Sequence, residues 1–201
     1  MAPTSMFRLF SLFDTTGNKS MTFNIVNKSP MIYIFKQQQN EKSVILLKFF
    51  FPDVVRLKIA DYLKMIKNAP PKTYIHMTVI QMYPDGDIDT TPNKKVKITI
   101  GKDENHVGFI GMTYVGTDSQ NHKDKFELIS KVDFTIENDP DFKNDDESKG
   151  KIVIDNFIEF LTLKFPVAYM YNSEKVETIM NGNNKNNKST SAPPVTDDIP
   201  F

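Results

Sequence analysis

The fold is decided within the stretch VILLKFFFPD, residues 44–53, where the chain passes from a strand into a helix. Its first eight residues are apolar on both alternating faces except at Lys48, a pattern typical of a buried strand. Pro52-Asp53 favours the start of a helix, because proline fits the first turn and an acid suits the helix N-terminus. Helical spacing then predicts one buried stripe and an end before Pro70-Pro71. That stripe comprises Val54, Leu57, Ala60, Tyr62, Leu63 and Ile66.

The segments on either side repeat the same order of elements. Upstream, alternation and turn-forming residues predict strands over 7–13, 21–27 and 31–37. Downstream, strands are predicted over 73–83, 95–100, 107–115 and 126–136, followed by a helix from 152 to about 171. Gly108 and Gly111 indicate a bulge or a close backbone contact, and Pro166 predicts an end or a kink in the second helix.

The predicted order is ββββα-ββββα, which makes the chain α+β, mostly β, with antiparallel sheets. An OB-fold barrel is the alternative, although it needs about five strands with one helix between the third and fourth. The element order resembles instead the Whirly-type fold over about residues 5–172. That resemblance implies two splayed antiparallel sheets, helices packed at their base, and assembly of four copies. The chain lacks the Lys-Gly-Lys-Ala-Ala-Leu signature of plant Whirly proteins, so no site residue is carried over from that family.

Composition limits the classes of protein that this chain can belong to. It has 201 residues with 39% hydrophobic content and 16 Phe, enough for a sizeable core, and no Cys for disulfides or thiolate sites. No signal peptide is evident, and the longest apolar run is too short to span a bilayer, so we expect a soluble, cytoplasmic protein with no membrane partner. Net charge is zero, but residues 1–84 carry eleven basic and four acidic residues, a balance of +7 that favours a basic surface.

Catalytic and metal-binding patterns are not found. The loop that begins at Asp85 resembles the start of a calcium loop, but Thr90 stands at its glycine position and Val96 at its closing glutamate. The three histidines have no second ligand at useful spacing, and no phosphate loop or nucleophile elbow occurs. The acids between 137 and 147 are typical of a solvated loop. We therefore predict that the protein is not an enzyme and has no cofactor.

The last five residues carry the most specific functional signal. They are Asp197, Asp198, Ile199, Pro200 and Phe201, and they follow a polar stretch, 181–196, whose composition predicts disorder. They resemble the acidic tip of bacterial single-stranded DNA-binding proteins, which ends Asp-Asp-Asp-Ile-Pro-Phe, with Thr196 in place of the first acid. This resemblance implies single-stranded DNA binding and a tip that recruits replication, recombination and repair proteins into a basic pocket. A bacteriophage source fits it.

Residues 1–180 are thus expected to form the single-stranded DNA-binding domain, and 181–201 a linker with the tip. Sequence-independent binding needs aromatic platforms for bases and cations for phosphates. The candidates are exposed tyrosines and strand cations: Arg8, Lys28, Tyr33, Lys36, Lys48, Tyr74, Lys95 and Lys97. Tyr74 and His76 are expected to share one strand face, and Lys95 and Lys97 another. The alternative is a β-rich adaptor or structural protein that binds no nucleic acid and has a peptide-docking tail. We expect an oligomer, and a tetramer if the Whirly resemblance holds.

Overall fold

The computed structural model describes residues 6–26, 28–37, 43–80, 95–130, 134–138, 140 and 142–172. The predicted order ββββα-ββββα is confirmed. The first half consists of β1 (Met6–Phe13), β2 (Lys19–Val26), β3 (Ser29–Lys36), β4 (Val44–Phe50) and α1 (Asp53–Lys67). The second half consists of β5 (Tyr74–Ile80), β6 (Lys95–Lys102), β7 (Gly108–Val115), β8 (Asn121–Leu128) and α2 (Asp146–Glu159). A π-helical turn, Phe160–Lys164, follows α2, and residues 165–172 are helical again.

The strands form two antiparallel sheets of four strands each, with sequential neighbours paired throughout. Sheet 1 has the order β1-β2-β3-β4 and sheet 2 the order β5-β6-β7-β8. The coarse class, α+β and mostly β, is confirmed, and the arrangement differs from the five-stranded barrel that was the alternative. Among the described residues, every helix is too short or too polar to cross a membrane.

One apolar core lies between the inner faces of the two sheets and the helices. Phe23 of β2 is fully buried and packs edge-to-face on Phe51, Phe157 and Phe160. The sheets also meet directly, because Asp14 bridges to Phe126 and the amide of Thr117 donates to the carbonyl of Leu46. These contacts bury the inner face of each sheet, so any binding surface on the strands must use the outer faces.

Helix α1 buries only part of the predicted stripe, namely Ala60, Leu63 and Ile66. Val54 and Leu57 are exposed, while Val55 and Ile59 are buried instead. Arg56 also lies on the buried side, only 5% exposed, and its guanidinium donates to the carbonyl of Leu161. The buried side of α1 is therefore rotated so that it includes Arg56, which faces Leu161.

Pro166 explains why the carbonyl of Leu161 needs a donor from outside its own helix. Proline has no N–H and disrupts a regular helix, yet residues 165–172 remain helical. The π-helical turn absorbs the disruption, with the amide of Phe165 donating five residues back to Phe160. In that register Leu161 would accept from residue 166, and Arg56 supplies the missing hydrogen bond. Pro166 thus neither ends the helix nor goes uncompensated.

Two predicted boundaries in the second half are wrong. The eighth strand is 121–128 rather than 126–136, and the second helix begins at Asp146 rather than 152. Asp145 caps that helix by accepting from the amide of Ser148 at 2.8 Å. Gly108 marks a close contact rather than a bulge, since β7 pairs without a register shift and a Cβ there would lie 2.8 Å from Ile154. The loop 84–93 lies outside the described residues.

Candidate nucleic-acid interface

The outer face of sheet 2 is the surface formed by alternate residues of β5 to β8 that do not enter the core. Residue by residue, β5 alternates between exposed and half-buried side chains, and the exposed set begins with Tyr74. Antiparallel pairing places His76 opposite Thr99, and Thr78 opposite Lys97, so all of them lie on one side of the sheet. The same pairing continues onto β7 and β8, where Lys97 lies opposite Thr113, and Thr113 opposite Lys123.

Three aromatic rings occupy one end of this face, and we call them the aromatic lane: Tyr74, His76 and Phe109. Tyr74 is 59% exposed, and its ring centroid lies 5.2 Å from that of His76 at a tilt of 47°. His76 Nδ1 is 2.8 Å from Thr99 Oγ1, which fixes the orientation of the imidazole. The ring of Phe109 lies across Gly101, where a Cβ atom would stand 2.5 Å from the ring edge. Only glycine at 101 therefore leaves room for the Phe109 ring in this position.

Three lysines lie at the other end of the face, and we call them the lysine lane: Lys95, Lys97 and Lys123. All three are exposed, and within the described ranges none of them forms an ion pair. Lys97 and Lys123 share one cross-strand row through Thr113, and Lys95 lies opposite Ile80 in the next row. Rows on one face of a strand are two residues apart, about 6.6 Å, so the lysine lane runs directly beside the aromatic lane.

A fourth lysine, Lys125, is already neutralised by acids at the aromatic end. Its Nζ lies 2.9 Å from both Asp103 and Glu127, and 5.0 Å from the centre of the Phe109 ring. Burial lowers the pKa of Lys125, but its hydrogen bonds to the two carboxylates outweigh burial and hold the pKa above its usual value. Burial raises the pKa of Asp103, but hydrogen bonds from Lys125 and from the amides of Val107 and Asn105 hold the pKa below its usual value. One lysine between two carboxylates leaves a net negative charge, so Asp103 and Glu127 form an acidic boundary of the face.

Tyr74, Lys95 and Lys97 are the predicted site residues that the structure brings together. Tyr74 was expected on one strand face and the two lysines on another, but the register places all three on the same face of sheet 2. Phe109 and Lys123 were missed. The sequence signal for Lys123 is its alternation with Asp124 and Phe126, which becomes visible only when β8 is placed at 121–128.

Three other predicted residues, Arg8, Tyr33 and Lys48, lie on the outer face of sheet 1. Tyr33 lies opposite Lys48 on the neighbouring strand. It is only 8% exposed, and burial raises the pKa of its hydroxyl, so the expectation of an exposed platform there is wrong. Arg8 lies over the ring of Phe35 at 5.6 Å, much as Lys125 lies over that of Phe109, so the two faces differ chiefly in the burial of Tyr33 and the exposure of Tyr74. This face offers bases less stacking surface than sheet 2 does.

The last two predicted cations lie away from both outer faces. Lys28 is in the turn before β3, with a positive φ of 67°, and its carbonyl accepts a hydrogen bond from Tyr169 at 2.9 Å. Lys36 is exposed at the end of β3, opposite Lys19. The tip residues 197–201 and the acids Asp139 and Asp141 fall outside the described part of the chain.

A hydrogen-bonded group of ionisable side chains behind sheet 2 joins the two sheets. The hydroxyl of Tyr114 donates to Asp124 at 2.7 Å, and the same carboxylate pairs with Lys19 of sheet 1 at 2.5 Å. Burial and the adjacent carboxylate raise the pKa of Tyr114 far above its usual value. In the described ranges, no three His, Asp or Glu side chains come together as a metal site.

Comparison with known proteins gives no match: no family model, curated protein or solved structure matches this chain.

Proposed function

We propose that this protein binds single-stranded DNA without sequence preference through the outer face of sheet 2. The observation that carries the proposal is the register of β5 to β8, which sets an aromatic lane with two exposed rings beside lysines that form no ion pair among the described residues. Every base has a flat apolar face that can stack on an aromatic ring, and every nucleotide has a phosphate that a lysine can neutralise. These two requirements are met side by side on one surface.

The two lanes favour a DNA strand that crosses the β-strands, with bases over the aromatic lane and phosphates over the lysine lane. Four strands spaced about 4.8 Å apart give a path of about 14 Å, which is room for only a few nucleotides on one chain. Duplex DNA would be bound more weakly, because its bases are already stacked and cannot reach the rings. The acidic boundary at Asp103 and Glu127 repels phosphates and so favours placing the backbone on the lysine side.

A Whirly-like arrangement and an oligomer belong to this proposal. The order of eight strands and two helices in two sheets supports the first. An apolar stripe on either side of Pro166 supports the second, because Leu163, Val167, Met170 and Tyr171 are all more than half exposed at helical spacing. Several copies would join their short paths into one longer track for DNA, and four copies are the state that the fold resemblance favours.

The tail supplies the second half of the proposed function. Its tip, 197–201, would recruit replication, recombination and repair proteins, with Phe201 as the apolar anchor and the two aspartates steering toward a basic pocket.

Zero net charge favours the other candidate, a β-rich adaptor with a peptide-docking tail, since most DNA-binding surfaces belong to basic proteins. The two candidates differ in whether the body of the protein binds DNA at all.

Fluorescence anisotropy of a labelled oligo-dT strand tests the proposal. We expect saturable binding that unlabelled single strands of any sequence displace, that an equal mass of duplex displaces poorly, and that added salt weakens. Equal competition by duplex and single strand would contradict the proposal, and no binding at low salt would leave the adaptor function as the better account.

A further inference from the structure

An apolar cavity of about 670 Å³ lies between β1, the segment after β8 and helix α2. Its walls are aromatic and aliphatic, and they include Phe10, Phe134, Phe157 and Phe160 together with the exposed Ile129. Phe10 and Phe160 are stacked with centroids 4.5 Å apart. No residue of the aromatic or lysine lanes lines it. A cavity of this size and character is typical of a site that accepts a small apolar ligand or a few side chains.

The polar groups around this cavity are few: Ser130 lies on the segment after β8, and the other two lie on the helix. Asn156 and Lys164 are exposed residues of the helix that contribute to the lining. Lys164 also pairs with Glu159 at 3.2 Å, an exposed contact of small energetic value that an incoming acid can replace. The cavity therefore combines an aromatic interior with a cation at its edge, which suits an apolar segment preceded by acids.

The chain leaves the described structure beside this cavity. Ala168 forms part of its wall, and the side-chain amide of Asn172, the last described residue, donates to the carbonyl of Ala168 at 2.7 Å. A chain with the length of residues 173–196 has a typical end-to-end distance of about 25–30 Å if it behaves as a random coil. The tip can therefore reach the cavity without crossing the molecule.

We propose that this cavity is a resting site for Ile199-Pro200-Phe201 of the same chain. Phe201 is the only aromatic residue after Tyr171, and aromatic side chains pair favourably with a wall of phenylalanines. Asp197 and Asp198 precede the apolar residues and would lie at the edge of the cavity near Lys164. A docked tip is withheld from other proteins, and a tether of this length presents it to the cavity at about millimolar effective concentration. Any recruited enzyme must then compete with the cavity. The inference does not rest on the proposed DNA interface.

Disulfide trapping tests the inference cleanly, because the chain contains no native cysteine. One double variant, Asn156→Cys with Asp198→Cys, joins the helix at the cavity to the tip while leaving the apolar anchor intact. The matched control, Thr113→Cys with Asp198→Cys, joins the same tip residue to an exposed position on the outer face of sheet 2. A third protein adds Phe201→Ser to the cavity pair. Equal thermal melting of the reduced proteins is the control for folding.

We expect the cavity pair to form an intramolecular disulfide at least 10-fold faster than the control pair. Phe201→Ser should reduce that rate to the level of the control, since the anchor holds the tip in place. Equal rates for the two pairs, faster trapping at Thr113, or a fast cavity rate that survives Phe201→Ser would each overturn the proposal. Disulfide-linked dimers as the main product would overturn the assignment to the same chain.

Discussion

Removing the lysine lane should weaken single-stranded DNA binding by an amount that the salt concentration sets. The perturbation is the triple variant of Lys95, Lys97 and Lys123 to Ala. All three side chains are exposed, and among the described residues they form no ion pair whose loss would disturb the fold. Each exposed substitution is expected to change the free energy of unfolding by no more than about 0.5 kcal/mol.

The magnitude follows from counterion release. On single strands, each neutralised phosphate contributes about 0.7 to the slope of log affinity against log salt, so three lysines contribute about 2. Between about 50 and 200 mM salt, that slope corresponds to a loss of about 20-fold in affinity for the wild-type protein. The triple variant should lack this part of the salt dependence, and its affinity should differ from wild type most at low salt.

Anisotropy titrations of labelled oligo-dT at several salt concentrations measure both quantities. The matched control is Lys64→Ala, an exposed lysine on α1 that is not part of the outer face of sheet 2 and should leave the slope unchanged. A triple variant with the wild-type slope would refute the assignment of phosphates to this lane. The assignment would also be refuted if Lys64→Ala reduced the salt slope by as much as each lysine of the triple variant does.

Three further predictions concern Tyr74, Asp103 and the tail. Tyr74→Ala should weaken oligo-dT binding by about 1–3 kcal/mol, about 5- to 150-fold in affinity, whereas Tyr74→Phe should keep most of the wild-type affinity. Titration at fixed salt measures both variants. Equal losses of affinity in the two would argue against stacking. Asp103→Asn keeps an acceptor for the backbone amides but removes the charge beside Lys125. The affinity for oligo-dT and the slope of log affinity against log salt should therefore both rise. An unchanged slope would count against the acidic boundary. Deleting 197–201 should leave oligo-dT affinity equal or slightly greater while pull-down of replication enzymes fails; equal recovery of those enzymes would remove the recruiting function from the tail.

Arg56→Ala should destabilise the protein by about 1–3 kcal/mol, because it leaves the buried carbonyl of Leu161 without a donor. Chemical denaturation measures the free energy of unfolding, and Lys58→Ala, an exposed neighbour on the same helix, serves as the control. A cost for Arg56→Ala no larger than that of the control would show that the π-helical turn does not need this hydrogen bond.

The order of elements could be predicted from the sequence because alternation, helical spacing and turn residues are local signals. The strand at 44–50 and the helix after it are of this kind, since burial on both faces and a proline mark them without tertiary information. Strand β8 could not be placed in this way. Its inward residue Asp124 is polar, and only its partners Tyr114 and Lys19, distant in sequence, make that burial favourable.

The side of a helix or strand that faces the core depended on contacts that the sequence does not reveal. Arg56 turns inward because a proline far along the chain frees the carbonyl that it binds. Tyr33 was predicted to be an exposed ring, but it lies on a central strand of sheet 1, opposite Thr22, and is buried there. Tyr74, Lys95 and Lys97 could be chosen from the sequence, but that they share a face with Phe109 and Lys123 follows from the register of sheet 2.

The most direct test of the DNA interface is photo-crosslinking of a single-stranded oligonucleotide that carries 4-thiothymine, followed by mass spectrometry of the linked peptides. The proposed interface predicts crosslinks on Tyr74, His76 and Phe109, because bases stack on the aromatic lane, and it predicts that the lysine-lane triple variant loses them at moderate salt. Crosslinks that fall instead on Tyr33 and Phe35 of sheet 1, or that are unchanged in the triple variant, would contradict it.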